Sequence, residues 1–326
     1  MKWVMRALLF AALTSAFAAI GTTAGASNPR LNAQVVASWP FTEPYGSFAE
    51  SMALGPNGFL YVSRTVWGDE HNYGYVERFR PSGAAHSVVA GPIDLGAWEL
   101  LTGIAFDPQG HLYVTVAPFL DEGLALAPGV LRVESNGTLT RVLTLPVSSF
   151  PNGLAVHGGY LYVADSSGPI WRVPLNGTPQ TPAAPWLDDP ALAPGASGLG
   201  ANGVAFRGER LYVTSYDQGR IVTVDVAPNG APGAPATFAS DPALVDADGI
   251  AFDWLGNLWV AVNGPGHGHV VVVAPGGRLV SFANDAPELD YPTQPVFVSP
   301  FALAVENGSF ADGAPGVVGY SVFGLW

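Results

Sequence analysis

The chain has 326 residues, a formal net charge of −13, 40 glycines, 29 prolines and no cysteine. So acidic a chain lacks the basic surface that nucleic acid or an anionic membrane requires, and the absence of thiols excludes cysteine catalysis and zinc–thiolate sites. Abundant glycine and proline favour tight turns over helix, and the length is sufficient for one large all-β domain without disulfides.

The first 26 residues have the pattern of a secretory signal peptide. Lys2 and Arg6 form a basic start, an apolar run covers 7–20, and Ala24-Gly25-Ala26 fits the small-x-small cleavage rule. An uncleaved membrane anchor is the alternative, but the apolar run is short for a span of about 20 residues and no stop-transfer segment follows. We therefore expect a secreted or periplasmic protein whose mature chain, 27–326, forms a single domain.

A motif of about 50 residues recurs through the mature chain. Each copy opens with an acid, amide or hydroxyl residue just before a short apolar strand, at intervals of 52, 50, 50 and 46 residues. The opening residues are Glu50, Thr102, Asn152, Asn202 and Asp248. A degenerate sixth copy begins at Phe301. Such a period indicates stacked or radially arranged units, so the opening residues should occupy equivalent places in space.

Each copy continues with a turn and then further strands. Second strands are predicted at 59–63, 111–115, 160–164, 210–214 and 257–261, and third strands at 75–79, 130–133, 170–173, 221–224 and 270–273. Fourth, outer strands are predicted at 87–90, 140–145 and 279–283. Four antiparallel strands per repeat are one blade, so six copies predict an all-β, six-bladed β-propeller around a central channel. A β-solenoid usually has shorter repeats, and a two-sheet sandwich would not repeat so regularly.

The sixth blade is the least regular. Residues 301–305 are predicted as its first strand and 317–323 as a later strand. The early segment 34–38 is predicted to supply the missing strand and lock the ring, which would leave only short sheet edges.

The opening residues are predicted to line one mouth of the channel, because the first strand of each blade faces it. Glu50 and Asp248 would contribute carboxylates there, and Asn152 and Asn202 would contribute amide oxygens. Each Asn-Gly or Asp-Gly pair alone is more typical of a turn. Together, four oxygen residues in one register predict a divalent-cation site. The donors suit Ca²⁺ better than zinc, which favours nitrogen and sulfur, although Mg²⁺, Mn²⁺ and Zn²⁺ remain open.

Two stretches resemble signatures of the SMP-30/gluconolactonase/LRE-like propellers. Phe150-Pro-Asn-Gly-Leu-Ala-Val156, followed by Leu-Tyr-Val-Ala-Asp-Ser at 161–166, resembles their third blade. Asp248-Gly-Ile-Ala-Phe-Asp253, followed by Gly-Asn-Leu-Trp-Val-Ala at 256–261, resembles their fifth blade. Strictosidine synthase-like, paraoxonase-like and NHL-repeat propellers share parts of the pattern.

The resemblance implies a divalent metal at the channel mouth and hydrolysis of a lactone ester bond. Glu50, Asn152 and Asp248 match the metal ligands of the family, and Asp248 also matches a proposed catalytic base. Asn202 resembles an additional asparagine ligand of the paraoxonase-like propellers. This sequence departs from the family where Ser-Met follows Glu50 and where Thr102 replaces a substrate-contacting asparagine, which makes Thr102 the substrate-binding candidate of the second blade.

Further substrate-binding candidates come from the loops between second and third strands, which should open on the same mouth. Trp67 and His71 lie in a polar and aromatic loop that would either shape a pocket or simply cover the first blade. His267 lies in the glycine-rich segment 264–269, either as a proton shuttle or as a solvated imidazole.

Two functions are consistent with these features. One is an exported, metal-dependent hydrolase of a small lactone or ester, with Asp248 or a loop histidine activating water. The other is a non-catalytic propeller that binds a ligand or protein around a structural cation, as the altered second and sixth blades would allow. A lyase on the same fold is a third, less favoured possibility.

Overall fold

The computed structural model describes residues 32–39, 46–119, 124–175, 178–182, 184–263, 268–283, 289–308 and 315–321. The predicted signal peptide, residues 1–26, lies outside these ranges. Within them the chain forms 23 strands in six antiparallel sheets and two short 3₁₀ helices, Pro190–Leu192 and Pro242–Leu244. Neither of these helices is long or apolar enough to cross a membrane.

The first three sheets follow one another along the chain. The first contains β2 (Ser47–Leu54), β3 (Leu60–Val66), β4 (Tyr73–Phe79) and β5 (Ser87–Asp94). The second contains β6 (Glu99–Phe106), β7 (Leu112–Pro118), β8 (Gly129–Val133) and β9 (Leu139–Thr144). The third contains β10 (Pro151–His157), β11 (Tyr160–Asp165) and β12 (Ile170–Pro174).

The remaining sheets complete the ring. The fourth contains β13 (Ala201–Arg207), β14 (Arg210–Ser215), β15 (Arg220–Asp225) and β16 (Ala236–Ser240). The fifth contains β17 (Ala247–Phe252), β18 (Leu258–Val262), β19 (His269–Val273) and β20 (Leu279–Ala283). The sixth contains β21 (Pro292–Ser299), β22 (Ala302–Asn307), β23 (Gly316–Ser321) and, from the start of the chain, β1 (Asn32–Ser38).

These sheets are the blades of a six-bladed β-propeller, as predicted. The inner strands contact one another in a closed circuit, β2 to β6, β10, β13, β17, β21 and back to β2. Five blades have four strands; the third has three within the described residues, and an isolated bridge between Ile170 and Leu187 extends its outer edge. The predicted second, third and outer strands are all present, each within a few residues of its predicted bounds.

The core lies between neighbouring blades. The second strands are buried on both faces. In their repeated Leu-aromatic-Val pattern, neighbouring side chains therefore pack against different blades, one against the preceding blade and the next against the following blade. Val114, for example, is fully buried in one cluster with Tyr61 of the preceding blade, whereas Tyr113 of the same strand packs with Leu161 of the following blade. Burial of each such side chain contributes about 1.5–3 kcal/mol, so a repeated three-residue pattern stabilises the whole ring.

Ring closure follows the prediction. β1 pairs antiparallel with β23, from Asn32 opposite Ser321 to Ser38 opposite Gly316. One sheet therefore joins the two ends of the described chain, which leaves the ring without a gap between the first and last blades.

The prediction for the first strand of the sixth blade is wrong. Residues 302–307 form its second strand, β22, and the inner strand is β21. Phe301 lies in the turn between them, 43% exposed, so it does not join the channel residues. Thr293 occupies the expected position instead. This copy departs from the repeat because Gln294 follows Thr293, whereas glycine follows Thr102, Asn152, Asn202 and Asp248.

Candidate functional site

A β-bulge in each inner strand positions the predicted channel residues. In β10, Pro151 pairs with Asp165 and Leu154 with Val163, so the two residues 152 and 153 face the single Ala164. Comparable register shifts occur in all six inner strands. A bulge bends the strand and re-aims a side chain. The bulged positions are Glu50, Thr102, Asn152, Asn202, Asp248 and Thr293.

Glycine follows four of these six residues, and these glycines bring the blades together rather than forming turns. A Cβ on Gly153 would lie 2.2 Å from the carbonyl oxygen of Asn202, and one on Gly203 would lie 2.3 Å from that of Asp248. Neither glycine has a positive φ, and both lie inside strands. Close approach of backbones is therefore what excludes a side chain here, and it brings Asn152, Asn202 and Asp248 side by side around the channel.

Two carboxyl groups are buried in this ring. Glu50 is 8% exposed and Asp248 is 4% exposed. Burial raises the pKa of Glu50 well above its ordinary value, and repulsion from Asp248 and Glu306 adds to the effect, opposed by a hydrogen bond with Asn152. Burial also raises the pKa of Asp248 to about 7, although hydrogen bonds from Asn263 and from the backbone of Gly249 oppose it. Two mutually repelling, desolvated carboxyls are costly unless a cation compensates for them.

Amide oxygens complete the donor set. Asn202 is 2% exposed, and its Oδ1 accepts no hydrogen bond within the described protein. Oδ1 of Asn263 is likewise buried and without a donor. Buried acceptors are normally satisfied, so these oxygens have free lone pairs for a ligand. Carboxylate and amide oxygens together are the donors that a hard divalent cation prefers, and the residues therefore fit the metal that the family resemblance implies.

The donors are not a compact group of ionisable ligands. Within the described ranges, no three His, Cys, Asp or Glu side chains lie close enough together to hold one metal ion. A site here must therefore combine amides with at most two of the carboxylates. Such a mixed set favours Ca²⁺ over zinc.

A third channel carboxyl, Glu306, lies outside the repeated motif of the sequence. It lies on β22 opposite the bulge of the sixth blade, and it is fully buried. Burial and repulsion from Asp248 raise its pKa well above the ordinary value, against a hydrogen bond from Thr293. Glu306 lies at the channel because β21 is the inner strand of the sixth blade and its bulge, at 293 and 294, faces Glu306 on β22.

The mouth above the ring is apolar on one side. Phe48, Leu100 and Phe150 stand two residues before the bulged positions of the first three blades. Phe48 and Leu100 form a cluster with Ala117, against which Trp67, Phe119 and Phe150 pack. The ring centroids of Trp67 and Phe119 are 6.0 Å apart, and those of Phe119 and Phe150 are 5.7 Å apart. We call Trp67, Phe119 and Phe150 the aromatic wall.

The opposite side of the mouth is polar. Asp246 and Tyr291 occupy the same place in the fifth and sixth blades, and both have left-handed backbones, with φ of 65° and 53°. Such conformations are strained in non-glycine residues and cluster at functional sites. Burial and the charge of Asp217 raise the pKa of Asp246 to about 6. Burial, with Asp246 and Asp248 nearby, raises the pKa of the Tyr216 phenol well above its ordinary value.

The remaining predicted substrate-binding residues, Thr102, His71 and His267, do not form one group in the described structure. The hydroxyl of Thr102 is fully buried and donates to the carbonyl of Pro151 at 2.7 Å. His71 is about half exposed, with Nδ1 2.6 Å from Oδ1 of Asp94. His267 lies outside the described residues.

Asp165, the last residue of the second strand of the third blade, and Asp217, just after the second strand of the fourth, bond to their own loops. Asp165 accepts hydrogen bonds from Phe150, Ser167 and Trp171. Asp217 accepts from the backbone nitrogens of Gly195, Ser197 and Leu199. Both therefore act as loop-forming residues.

Fold and site together define a six-bladed β-propeller with a buried, oxygen-rich ring at one channel mouth. Residues 197–302, from just before the fourth inner strand to the start of β22, match the family described as the SMP-30/Gluconolactonase/LRE-like region. This match confirms the family resemblance found in the sequence. No curated protein matches the chain.

Solved structures of several proteins share the fold. A gluconolactonase from Xanthomonas campestris is 17% identical, with a TM-score of 0.61 and 89% of each chain covered. The calcium-binding protein regucalcin from Agrobacterium tumefaciens is 16% identical, with a TM-score of 0.59, over 87% of this chain and 93% of that one. An auxiliary nutrient binding protein from Bacteroides ovatus is 14% identical, with a TM-score of 0.61, over 90% and 76%. At these identities the likeness establishes the fold alone.

Proposed function

We propose that the protein is an exported, metal-dependent hydrolase of lactone or related ester bonds. The observation that carries the proposal is the ring of bulged residues with buried, uncompensated oxygens. Glu50, Asn152, Asn202 and Asp248 would hold one divalent cation, Ca²⁺ being the best match. When bound, the ion would polarise the substrate carbonyl and stabilise the developing oxyanion. The family match and the gluconolactonase neighbour support this class of reaction.

Asp248 is the proposed base. Its Oδ2 accepts a hydrogen bond from Nδ2 of Asn263 at 3.0 Å, which fixes the plane of the carboxylate. Tyr216 would keep its proton at neutral pH, since its pKa is raised, and it could donate a hydrogen bond to substrate oxygen. The aromatic wall would exclude water on the other side and hold an apolar part of the substrate. The arrangement therefore favours lactones or aryl esters with an apolar substituent.

The alternative is a non-catalytic binding propeller in which the cation is structural. One specific observation favours it: the nutrient-binding neighbour has the same TM-score, 0.61, as the gluconolactonase. In this case the aromatic wall and the polar side would bind an intact ligand.

Metal analysis of the purified mature protein beside its Asp248→Asn variant separates these functions. The proposal expects about one Ca²⁺ per wild-type chain, with acid release from lactones in wild type but not in the variant. Gly276→Ala is the control, because a Cβ there meets nothing within 4 Å. A bound ion without turnover of any lactone or aryl ester would favour the binding propeller. Absence of a bound ion from wild type would refute the metal site.

A further inference from the structure

We infer that Glu306 is a third carboxylate of the proposed cation site in the channel, beside Glu50 and Asp248. It would contact the ion indirectly, by accepting a hydrogen bond from a water molecule bound to the ion. The inference rests on the proposed metal site and adds a residue to it that none of the sequence motifs includes.

The position of Glu306 in the repeat is the first argument. It stands on the second strand, directly opposite the bulge of its blade, between the pairs Pro292–Asn307 and Pro295–Val305. The equivalent residues of the other five blades are small: Ser63, Thr115, Ala164, Thr214 and Ala261. One blade of six therefore carries a long, ionisable side chain where the others carry a hydroxyl or a methyl group.

The hydroxyls at this position have a structural role that a carboxylate cannot take. Ser63 donates to the carbonyl of Thr102 at 2.5 Å, and Thr214 donates to that of Asp248 at 2.9 Å. Each hydroxyl thus joins its blade to the next. An ionised carboxylate has only acceptors, so it cannot make this link. The ring gains no inter-blade hydrogen bond from an ionised Glu306.

The surroundings of Glu306 leave one oxygen free. The side chain is fully buried. Its Oε2 accepts a hydrogen bond from Oγ1 of Thr293 at 3.4 Å, and its Oε1 accepts none within the described protein. A buried carboxylate with a free oxygen is costly unless a ligand or cation compensates for it.

The location of the sixth blade identifies that ligand. β21 contacts β17, which carries Asp248, and β2, which carries Glu50; β22 also contacts β2. Glu306 therefore lies on the blade between the two proposed carboxylate ligands. The free, buried Oδ1 of Asn202 in the same ring is an independent sign of a ligand there. Because no three acidic groups are close enough for direct coordination by all of them, contact through water is the arrangement that fits.

The test is calorimetric titration of metal-free protein with Ca²⁺, comparing wild type with Glu306→Gln and Glu306→Asp. Residues that act through ion-bound water typically change metal affinity by about 10- to 100-fold, so Glu306→Gln should weaken binding by that factor. Glu306→Asp keeps the charge and should bind more tightly than Glu306→Gln. Glu99→Gln is the matched control. Glu99 is also fully buried, and its Oε2 also accepts no hydrogen bond within the described protein, but its Oε1 accepts one from the backbone nitrogen of Leu126.

A second readout separates this role from a structural one. In EDTA, Glu306→Gln should melt at the same temperature as wild type or higher, because Oε1 of Glu306 has no hydrogen-bond partner in the described protein for the amide to lose. A lower melting temperature with unchanged Ca²⁺ affinity would make Glu306 structural and overturn the inference, while the proposed metal site would stand. If wild type bound none of Ca²⁺, Mg²⁺, Mn²⁺ or Zn²⁺, the metal site and the role of Glu306 would both be refuted. Equal Ca²⁺ affinity of Glu306→Gln and Glu306→Asp would also overturn the inference.

Discussion

Nδ2 of Asn263 lies 3.0 Å from Oδ2 of Asp248, so a residue just beyond β18 orients a carboxylate carried by β17. Asn263 does not belong to the repeated column, and its own Oδ1 remains free. The backbone of Gly249 also donates a hydrogen bond to this carboxyl, so two groups hold Asp248 in place. Asn263 is therefore a positioning residue for the proposed site.

Replacement of Asn263 by Ala should weaken Ca²⁺ binding by about 10- to 100-fold, the usual effect of removing a residue that orients a ligand. Titration calorimetry measures the change. Asn136→Ala is the control, because Asn136 is an exposed loop amide whose Oδ1 accepts hydrogen bonds from Thr138 of its own turn. Equal Ca²⁺ affinity in Asn263→Ala and wild type would contradict the assignment.

A methyl group at position 153 should disturb the ring of inner strands. The Cβ of Gly153→Ala would lie 2.2 Å from a backbone oxygen of the next blade, which cannot move as a side chain can. Overpacking of this kind costs about 1–3 kcal/mol. Urea unfolding of Gly153→Ala beside Gly276→Ala, whose added Cβ meets nothing within 4 Å, measures the difference. Identical unfolding midpoints would show that the blades are not packed as described.

Acid should weaken the hydrogen bonds and ion pair around Glu77, which lies on β4 of the first blade. These contacts connect the first blade to the sixth, because Trp39 follows β1 of the sixth blade and donates to Glu77. Burial alone would raise the pKa of Glu77, but the Arg64 guanidinium, with hydrogen bonds from Trp39 and His86, brings it below its ordinary value of 4.5. A carboxyl whose pKa is lowered on folding stabilises the protein fully above its unfolded pKa. That stability is lost as the pH falls through the folded pKa.

Glu77→Gln should therefore lower the free energy of unfolding by about 3 kcal/mol at neutral pH, since it leaves Arg64 without its buried partner. The difference in free energy of unfolding between wild type and Glu77→Gln should become smaller below pH 4.5. Chemical unfolding at pH 7, 5 and 3.5 measures it. Asp225→Asn, in the exposed pair with Arg210, is the control and should change little. A pH-independent gap would show that the charge of Glu77 is not responsible.

Loss of the aromatic wall should change substrate preference without affecting the metal. Trp67→Ala should raise KM about tenfold for an aryl ester or alkyl lactone, a factor that corresponds to about 1.4 kcal/mol of lost apolar contact. Ca²⁺ affinity should be unchanged. Trp254→Ala is the control, because Trp254 is 61% exposed in the turn between β17 and β18. A fall in kcat with unchanged KM would place Trp67 outside the substrate pocket.

The sequence alone was sufficient for the fold and for five of the six channel positions. Periodicity determines the number of blades, because each unit must bury the same faces against its neighbours. The same period places Glu50, Asn152, Asn202 and Asp248 at equivalent points. Their equivalence is a consequence of symmetry, so it is visible in a linear chain.

Only the tertiary structure decided which residues lie beside that column. Glu306 enters the channel because β21 starts at Pro292, a register that no glycine marks in the sequence. Asn263 reaches Asp248 from the far end of the next strand. Phe119 joins Trp67 and Phe150 from a different blade. Such contacts depend on where loops and irregular strands end in space, and a repeat pattern carries no information about residues that break the repeat.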